Sequence, residues 1–398
     1  MPRMIAVADS DSYLKWTHAT TARMPAGWIC DTVVVRNPAQ PSPAQISTVT
    51  DQPVEVLSRR ELIAKIAFEH PDAVLLGCTG PTVGQLSAQR SLSESRRRPV
   101  LITGLPGISI PPSARAIRFR AGCDLMIVHS RRERREFSVL AQTMAPGLRV
   151  ALTRLPFLID AEPSAEPDGT VEAPQGPVIF AGQAMVPPKA EQRRMILRAL
   201  ADVPGDVRPV VKLRAAAGER QTHNEQYPYP VLWKQLVRSG HASKRRVTFN
   251  QGSMRAALER AGGLVTVSST AALEAMAAGV GVLILNDFGV NHTMINTVYA
   301  ESGCLGTLDD LRRGEFRLPN KEWLMENYFH PEAESDWLDR LDDLLAIREL
   351  HGLAQSVSMP VGSRSSRLKR KLRLELPART WPMIRRVRRL SRIRHRRG

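Results

Sequence analysis

Cysteine is scarce in this chain of 398 residues. Cys30, Cys78, Cys123 and Cys304 are scattered, with no Cys-x-x-Cys pair and no histidine at zinc spacing. That argues against a disulfide framework or a structural metal site and fits a reducing cytosol. Aromatic residues are only 5% of the chain, and no stacking platform or recognition-helix pattern accompanies them, so nucleic acid is not an expected partner. No apolar run has the character of a membrane span. The longest weakly polar window, Gly262–Leu285, is interrupted by glycines, hydroxyl residues and Glu274 and divides into strand, helix and strand. The apolar stretch after Met1 is too short for a signal peptide.

Charge of one sign is in excess: 56 Lys and Arg against 39 Asp and Glu, net +17. The excess is local. Residues 364–398 hold 15 of the bases and one acid, Glu375, which leaves 41 bases and 38 acids, net +3, for residues 1–363. A near-neutral body excludes a generic polyanion-coating surface and concentrates the charge in one tail. The hydrophobic fraction of 43% supplies a normal core, and the length calls for two domains.

Short β-branched runs alternate with segments of helical period, which predicts parallel α/β units. Strands are expected at Met4–Ala8, Thr32–Arg36, Ala73–Leu76, Val100–Thr103, Leu125–His129 and Arg149–Leu152. Helices are expected at Tyr13–Arg23, Arg59–Glu69, Val83–Ser93, Ser113–Ala121 and Arg131–Gln142. Asp160–Pro177 carries four prolines, five acids and no Lys or Arg, a solvated linker. Strands then recur at Val178–Ala181, Arg208–Lys212, Arg246–Asn250, Gly263–Val267 and Val280–Leu285, with helices at Pro188–Leu200, Ser253–Arg260 and Ala271–Ala278. An amphipathic helix, Glu332–Arg348, gathers Trp337, Leu338, Leu341, Leu344 and Leu345 on one face. The expected division is 1–159, linker 160–177, a second domain 178–352 that includes this closing helix, and a tail 353–398. Ligands of such doubly wound sheets bind where strands end and helices begin.

The most informative stretch runs from Val265 to Leu285. A strand ends at Val267, Ser268, Ser269 and Thr270 make the turn, and a helix of small apolar residues carries one carboxylate, Glu274. A capping box would place the acid three residues after the cap, whereas Glu274 follows Thr270 by four. The functional reading has Glu274 bonding a ribose diol while the hydroxyls and the helix start hold phosphate.

Ser-Ser-Thr-x-x-x-Glu-Ala-x-x-x-Gly followed by an apolar strand resembles the donor-binding segment of GT-B glycosyltransferases, in particular bacterial capsule and polysaccharide transferases and an actinobacterial glycosyltransferase group. Val178–Gln183, Val210–Arg214 and Asp9–Trp16 agree with that resemblance. It implies two Rossmann-like domains facing a cleft and a metal-independent transferase without a cofactor. A nucleotide-activated sugar is then the donor substrate of the second domain, and the first domain carries the acceptor site. Thr266 stands where retaining relatives carry a first glutamate, which favours inversion; Leu213-Arg214 replaces the His-Pro pair of CMP-sugar enzymes.

On this reading the donor residues are Gly182, Gln183, Lys212, Arg214, Ser268, Ser269, Thr270 and Glu274, and the general base is Asp11, Asp9 or His18, with Asp11 foremost. Asn286, Asp287, Asn291 and His292 follow the last strand and could line the cleft. His129-Ser130 reads as a helix cap, His223–Glu225 as a polar loop and Arg131–Glu136 as a solvated helix face. The tail places Trp381 and aliphatic residues opposite Arg385, Arg386, Arg388 and Arg389. That pattern suits an anionic membrane surface through residues 364–398 and a peripheral position on the cytoplasmic side. The acceptor is then a cell-envelope glycan or a lipid-linked molecule. The alternatives are a GT-B nucleotide-sugar epimerase, which needs no acceptor, and a non-catalytic GT-B scaffold binding membrane or RNA through its tail.

Overall fold

A computed structural model describes residues 1–158, 170–171, 176–204, 208–213, 225–243, 246–357, 359 and 361–375. Seven strands form the first sheet: β1 (Arg3–Ala8), β2 (Ile29–Val35), β3 (Glu55–Leu57), β4 (Ala73–Gly77), β5 (Val100–Gly104), β6 (Leu125–Val128) and β7 (Arg149–Leu152). They are parallel throughout, in the order β3-β2-β1-β4-β5-β6-β7. Helices cover both faces, so the central strands are buried on either side and read as unbroken Val, Ile, Leu and Ala runs. Capping residues start the helices. Ser58 accepts from the Glu61 amide while the Glu61 carboxylate accepts from the Ser58 amide at 2.6 Å. Gly104 lets Trp16 lie against the sheet, since a Cβ there would meet the indole at 2.5 Å.

The second sheet includes β8 (Thr170–Val171), a short edge strand. Its core is five parallel strands: β9 (Val178–Ala181), β10 (Val210–Lys212), β11 (Thr248–Asn250), β12 (Gly263–Thr266) and β13 (Val282–Leu285), in the order β11-β10-β9-β12-β13. β14 (Leu305–Gly306) runs parallel beside β13, and β15 (Phe316–Arg317) joins β13 to β8 by antiparallel pairing. The two Rossmann-like sheets are those expected of the GT-B architecture. Each reverses its strand order once, the first between β1 and β4 and the second between β9 and β12.

Differences from the sequence reading have local causes. The expected helix Val83–Ser93 is two short ones, Gly80–Leu86 and Arg90–Ser93. The helix Tyr229–Arg238 follows Pro228, and its apolar stripe of Tyr229, Leu232, Trp233 and Leu236 is buried. The closing helix, Trp337–His351, follows the second domain in sequence, but it covers the first sheet and not the second. Trp337, Leu341 and Leu344 pack with Met4, Val100, Ile102 and Ile127. Asp336 accepts from the Leu152 amide at 2.7 Å and Arg348 pairs with Asp72 at 2.6 Å. Its apolar stripe is therefore the missing cover of β5, β6 and β7. A further helix, Arg364–Glu375, packs on the helix Gly80–Leu86, so the start of the basic tail belongs to the first domain's surface. Trp381, Arg385, Arg386, Arg388 and Arg389 lie outside the described residues, as do Arg214, His223 and Asn224. Among the described residues no helix is long and apolar enough to cross a membrane.

Candidate active site

The carboxyl ends of β9, β10 and β12 sit side by side at the second sheet's reversal point, where a doubly wound sheet opens a crevice. Gly182 and Gln183 leave β9, Lys212 ends β10, and Ser268, Ser269 and Thr270 leave β12. Gln183 crosses the crevice and donates its side-chain amide to the Ser268 carbonyl. Lys212 is 7% exposed, its neighbours across the sheet being Ala181 and Asn250. Burial pushes its ammonium below the ordinary lysine value, and no carboxylate pairs with it among the described residues. Glu274 is the complement. Burial raises its carboxyl above the ordinary value, and no donor among the described residues bonds it. The capping explanation does not hold, because Thr270 makes no side-chain cap bond and Glu274 reaches no cap amide.

Three of the expected donor residues also have roles within the fold. The Ser268 hydroxyl donates to the Ile295 carbonyl, so it shapes the turn and its proton is not free for phosphate. The Ser269 hydroxyl accepts from the Ala271 amide at 3.2 Å, and the Ser269 carbonyl accepts from Tyr299 Oη at 2.8 Å. Gly182 is closely packed, since a Cβ would stand 3.0 Å from the Tyr229 ring. Of the group after β13, Asp287 accepts from the Leu308 amide and Asn291 from the Thr293 and Met294 amides. Asn291 holds its own turn, and Asp287 anchors the start of the helix Leu308–Arg313.

Sequence reasoning missed the residue that fixes this crevice. Arg193 is 1% exposed and donates to the carbonyls of Gln183, Ala184, Pro187 and Tyr227 and to Glu225 at 2.6 Å. Its guanidinium lies 4.9 Å from the Tyr229 ring centre. Glu225, read as part of a polar loop, is therefore a counter-ion. The signal was present: Arg193 falls on the same helical stripe as Ile196, Leu197 and Leu200, where a cation needs partners.

At the first sheet's reversal point the three candidate bases separate. Asp9, 2% exposed, bridges β1 to the turn after β4. It accepts from the Thr79 amide at 3.0 Å, the Thr79 hydroxyl and the Thr82 hydroxyl at 2.7 Å. Burial raises its carboxyl, and these three bonds work in the opposite direction. Asp11 opens the helix Asp11–Thr21 at the crevice; Lys15 bonds its Oδ2 at 2.9 Å, while its buried Oδ1 has no partner among the described residues. His18 lies seven residues further along that helix, about 10 Å from the crevice end at 1.5 Å per residue, in the last turn. Of the three, Asp11 alone combines a place at the strand end with an uncommitted oxygen.

The loop after β5 reaches across to the donor turn, where a Cβ on Gly107 would meet Thr270 at 3.2 Å. Pro156–Leu158 touches both the helix after β1 and the helix Ala271–Ala277, so the two reversal points share one cleft. Glu133, fully buried, ties its walls together. It accepts from Tyr328 Oη at 2.6 Å and from the Ser109 and His129 amides at 2.8 and 2.9 Å. Arg131, Arg134 and Arg135 bond Glu334, Asp336 and Glu326, so that helix face docks the returning chain and is not merely solvated. Ser130 does cap the helix, accepting from the Glu133 amide at 3.0 Å.

His129 is buried beside this network. Trp16 Nε1 donates to its Nε2 at 2.8 Å and its Nδ1 faces the Thr153 carbonyl at 3.1 Å, which fixes a neutral imidazole protonated on Nδ1. Burial pushes its pKa down to about 4. The unfolded chain therefore binds this proton first, and stability contributed above pH 6.5 is lost as pH falls toward 4. The loss is about 2–3 kcal/mol by pH 4.5, since each pH unit below the unfolded value costs ~1.4 kcal/mol. Glu133, pushed up to about 7 by burial, acts in the opposite direction, its contribution fading as pH rises from 4.5 to 7. His129→Gln keeps one acceptor and one donor, so urea unfolding at pH 7 and pH 4.5 should show a smaller acid loss in the variant by that amount. Equal losses in both proteins would contradict the neutral imidazole.

Residues 4–344 match the family model described as "Putative glycosyltransferase (DUF6716)". No curated protein matches in sequence. Among solved structures, the S. aureus MnaA–UDP co-structure superposes with a TM-score of 0.51 at 13% identity, covering 93% of this chain and 95% of that one. A crystal structure of UDP-N-acetylglucosamine 2-epimerase gives 0.51 at 11% identity, with 90% and 100% covered. The lipopolysaccharide outer core galactosyltransferase WaaB in its apo form gives 0.43 at 10%, with 87% and 100% covered. At these identities the likeness to the first two is one of fold.

Proposed function

Since the chain belongs to the family described as "Putative glycosyltransferase (DUF6716)", we propose that its cleft transfers a sugar, with inversion, from a nucleoside-diphosphate donor at the second reversal point to an acceptor hydroxyl at the first. The observation that carries this reading is a pair of charges flanking one crevice that are unmatched among the described residues, Lys212 at the end of β10 and Glu274 in the helix after β12. A buried ammonium and a largely buried carboxylate are each unfavourable unless something pairs with them. A ligand with an anionic diphosphate and a ribose diol completes both. Lys212 then faces the phosphates and Glu274 accepts from the ribose hydroxyls.

In the transfer, the Asp11 carboxylate takes the acceptor's hydroxyl proton as the acceptor oxygen bonds to the anomeric carbon. The bond from the anomeric carbon to the phosphate oxygen breaks with its electron pair on the leaving diphosphate, whose charge Lys212 offsets. Asp9 holds the strand end from which Asp11 projects. No metal ligand is called for in this scheme.

The test is incubation of the full chain with radiolabelled UDP-, GDP- and CMP-sugars, with and without a membrane-lipid extract. Label entering the extract only when one donor, enzyme and extract are combined is the expected result. Released nucleotide or an epimerised donor without any extract would overturn transfer in favour of epimerisation.

We also propose that the basic tail holds the enzyme on anionic lipid. A chain ending at Glu375 lacks nine of the tail's arginines, each worth about 1 kcal/mol near an anionic surface before salt screening. It should therefore lose co-sedimentation with phosphatidylserine vesicles by at least tenfold at low salt; undiminished co-sedimentation would remove the tail from that role.

A further inference from the structure

A pocket of about 550 Å³ opens beside β7, the last strand of the first sheet. At about 4.8 Å per strand, β7 lies ~14 Å from β4 and the first reversal point. The helix Arg131–Met144 lines the pocket with residues at helical spacing, Ser138 and Gln142 among them. β7 contributes Arg149 and Val150, and the closing helix contributes Arg340.

Five arginines line it, Arg131, Arg134, Arg135, Arg149 and Arg340, and among the described residues three carboxylates pair with them. Glu334 bonds Arg131 at 2.7 Å and Glu326 pairs with Arg135 at 3.0 Å. Asp336 is shared between Arg340 at 2.7 Å and Arg134 at 3.7 Å. Arg149, half-buried, has no side-chain partner among the described residues. Five cations against three carboxylates leave an excess of two positive charges. A phosphomonoester, at about −1.5 to −2, neutralises that excess, whereas a single carboxylate leaves half of it.

The uncharged groups point to hydroxyls on the same ligand. Arg149 and Thr153 donate their amides to the Asp124 and Val128 carbonyls beside them. Strand alternation therefore turns the Val150 amide and carbonyl outward, to the edge of the sheet. Leu152, the next outward residue, spends both its backbone groups on Asp336. The outward pair of Val150 has no partner among the described residues, and one residue is too short an edge for an added strand. Ser138 and Gln142 likewise form no side-chain bond among the described residues.

We infer that this pocket is a second ligand site, for a hexose phosphate, separate from the donor crevice. The phosphate meets the Arg149 guanidinium and the Val150 amide, and the sugar hydroxyls meet Ser138, Gln142 and the Val150 carbonyl. The volume is that of a small-molecule site. Free phosphate satisfies the cations alone and free sugar the neutral groups alone, so each binds weakly by itself.

Calorimetric titration of the full chain with the 6-phosphates of glucose, mannose and galactose tests this, with the free sugars, glucuronate and inorganic phosphate as controls. At least one hexose phosphate should bind about 10- to 100-fold more tightly than every control, the range for hydrogen bonds to a charged group. Arg149→Glu reverses the unpaired charge, and Gln142→Trp, at an exposed position, narrows the pocket. Each should weaken that binding at least tenfold without lowering the melting temperature, while Glu274→Ala leaves it unchanged. Hexose phosphates bound no better than the controls, or unchanged affinity in either pocket variant, overturn the inference. Binding lost in Glu274→Ala and kept in Arg149→Glu also overturns it, by moving the ligand to the donor crevice.

Discussion

Asp11→Asn is expected to lower kcat for sugar transfer by about 10²–10⁴-fold, the range for removing a positioned general base, with the donor's affinity unchanged. The amide is isosteric but cannot take the acceptor proton. Asp11 starts its helix at the carboxyl end of β1, so its carboxylate is aimed by the strand and by the helix together. Lys15, one turn further along the helix, holds Oδ2, and the buried Oδ1 has no partner among the described residues. Single-turnover transfer from the donor identified in the nucleotide-sugar screen checks the effect. A decrease below threefold would move the base elsewhere. Asp9→Asn makes a useful contrast. Its carboxylate accepts three bonds from Thr79 and Thr82, so its loss should appear chiefly in stability and in the placement of Asp11.

Arg193→Met is expected to destabilise the chain by about 3–5 kcal/mol. The aliphatic side chain fills much of the arginine's volume but provides no donors. Four carbonyls and Glu225 lose partners in a region where Arg193 itself is 1% exposed. Breaking a buried charge pair by removing one member falls in that range, because the remaining groups stay desolvated. Two of the carbonyls belong to Gln183 and Ala184, so the loop facing the donor turn should loosen as well, and nucleotide affinity should fall with stability. Urea unfolding monitored by tryptophan fluorescence measures the first effect and nucleotide titration the second. A loss under 1 kcal/mol would show that the guanidinium is not what holds the loop.

The strands of both sheets were readable because they are buried on two faces, and a continuous apolar run such as Ala73–Gly77 or Val282–Leu285 has few other uses. Glu274 was readable for the same reason in reverse: a carboxylate among small apolar residues needs an explanation. What the sequence hid was long-range partnership. The stripe on Trp337–His351 announces an apolar surface without saying which sheet it covers, and it covers the first. Asp9 and Asp11 look equivalent in a strand-end motif; only Thr79 and Thr82, some 70 residues away, commit one of them. Glu133 and Arg193 sat on buried helical stripes with Phe137 and Ile196. A charge in such a stripe marks a network, although its partners come from segments no local pattern connects. Ser268 shows the converse: its hydroxyl, read as a phosphate ligand, is spent on the Ile295 carbonyl.

The central claim is that Glu274 and Lys212 receive a nucleotide, and isothermal titration of the full-length chain with UDP, GDP and CMP, in parallel with Glu274→Ala, tests it most directly. One nucleotide should bind the native chain, and the variant should bind it about 10- to 100-fold more weakly, as expected for a hydrogen bond to a charged acceptor worth ~1.5–3 kcal/mol. No binding by any of the three, or a nucleotide held equally well by both proteins, would contradict the account.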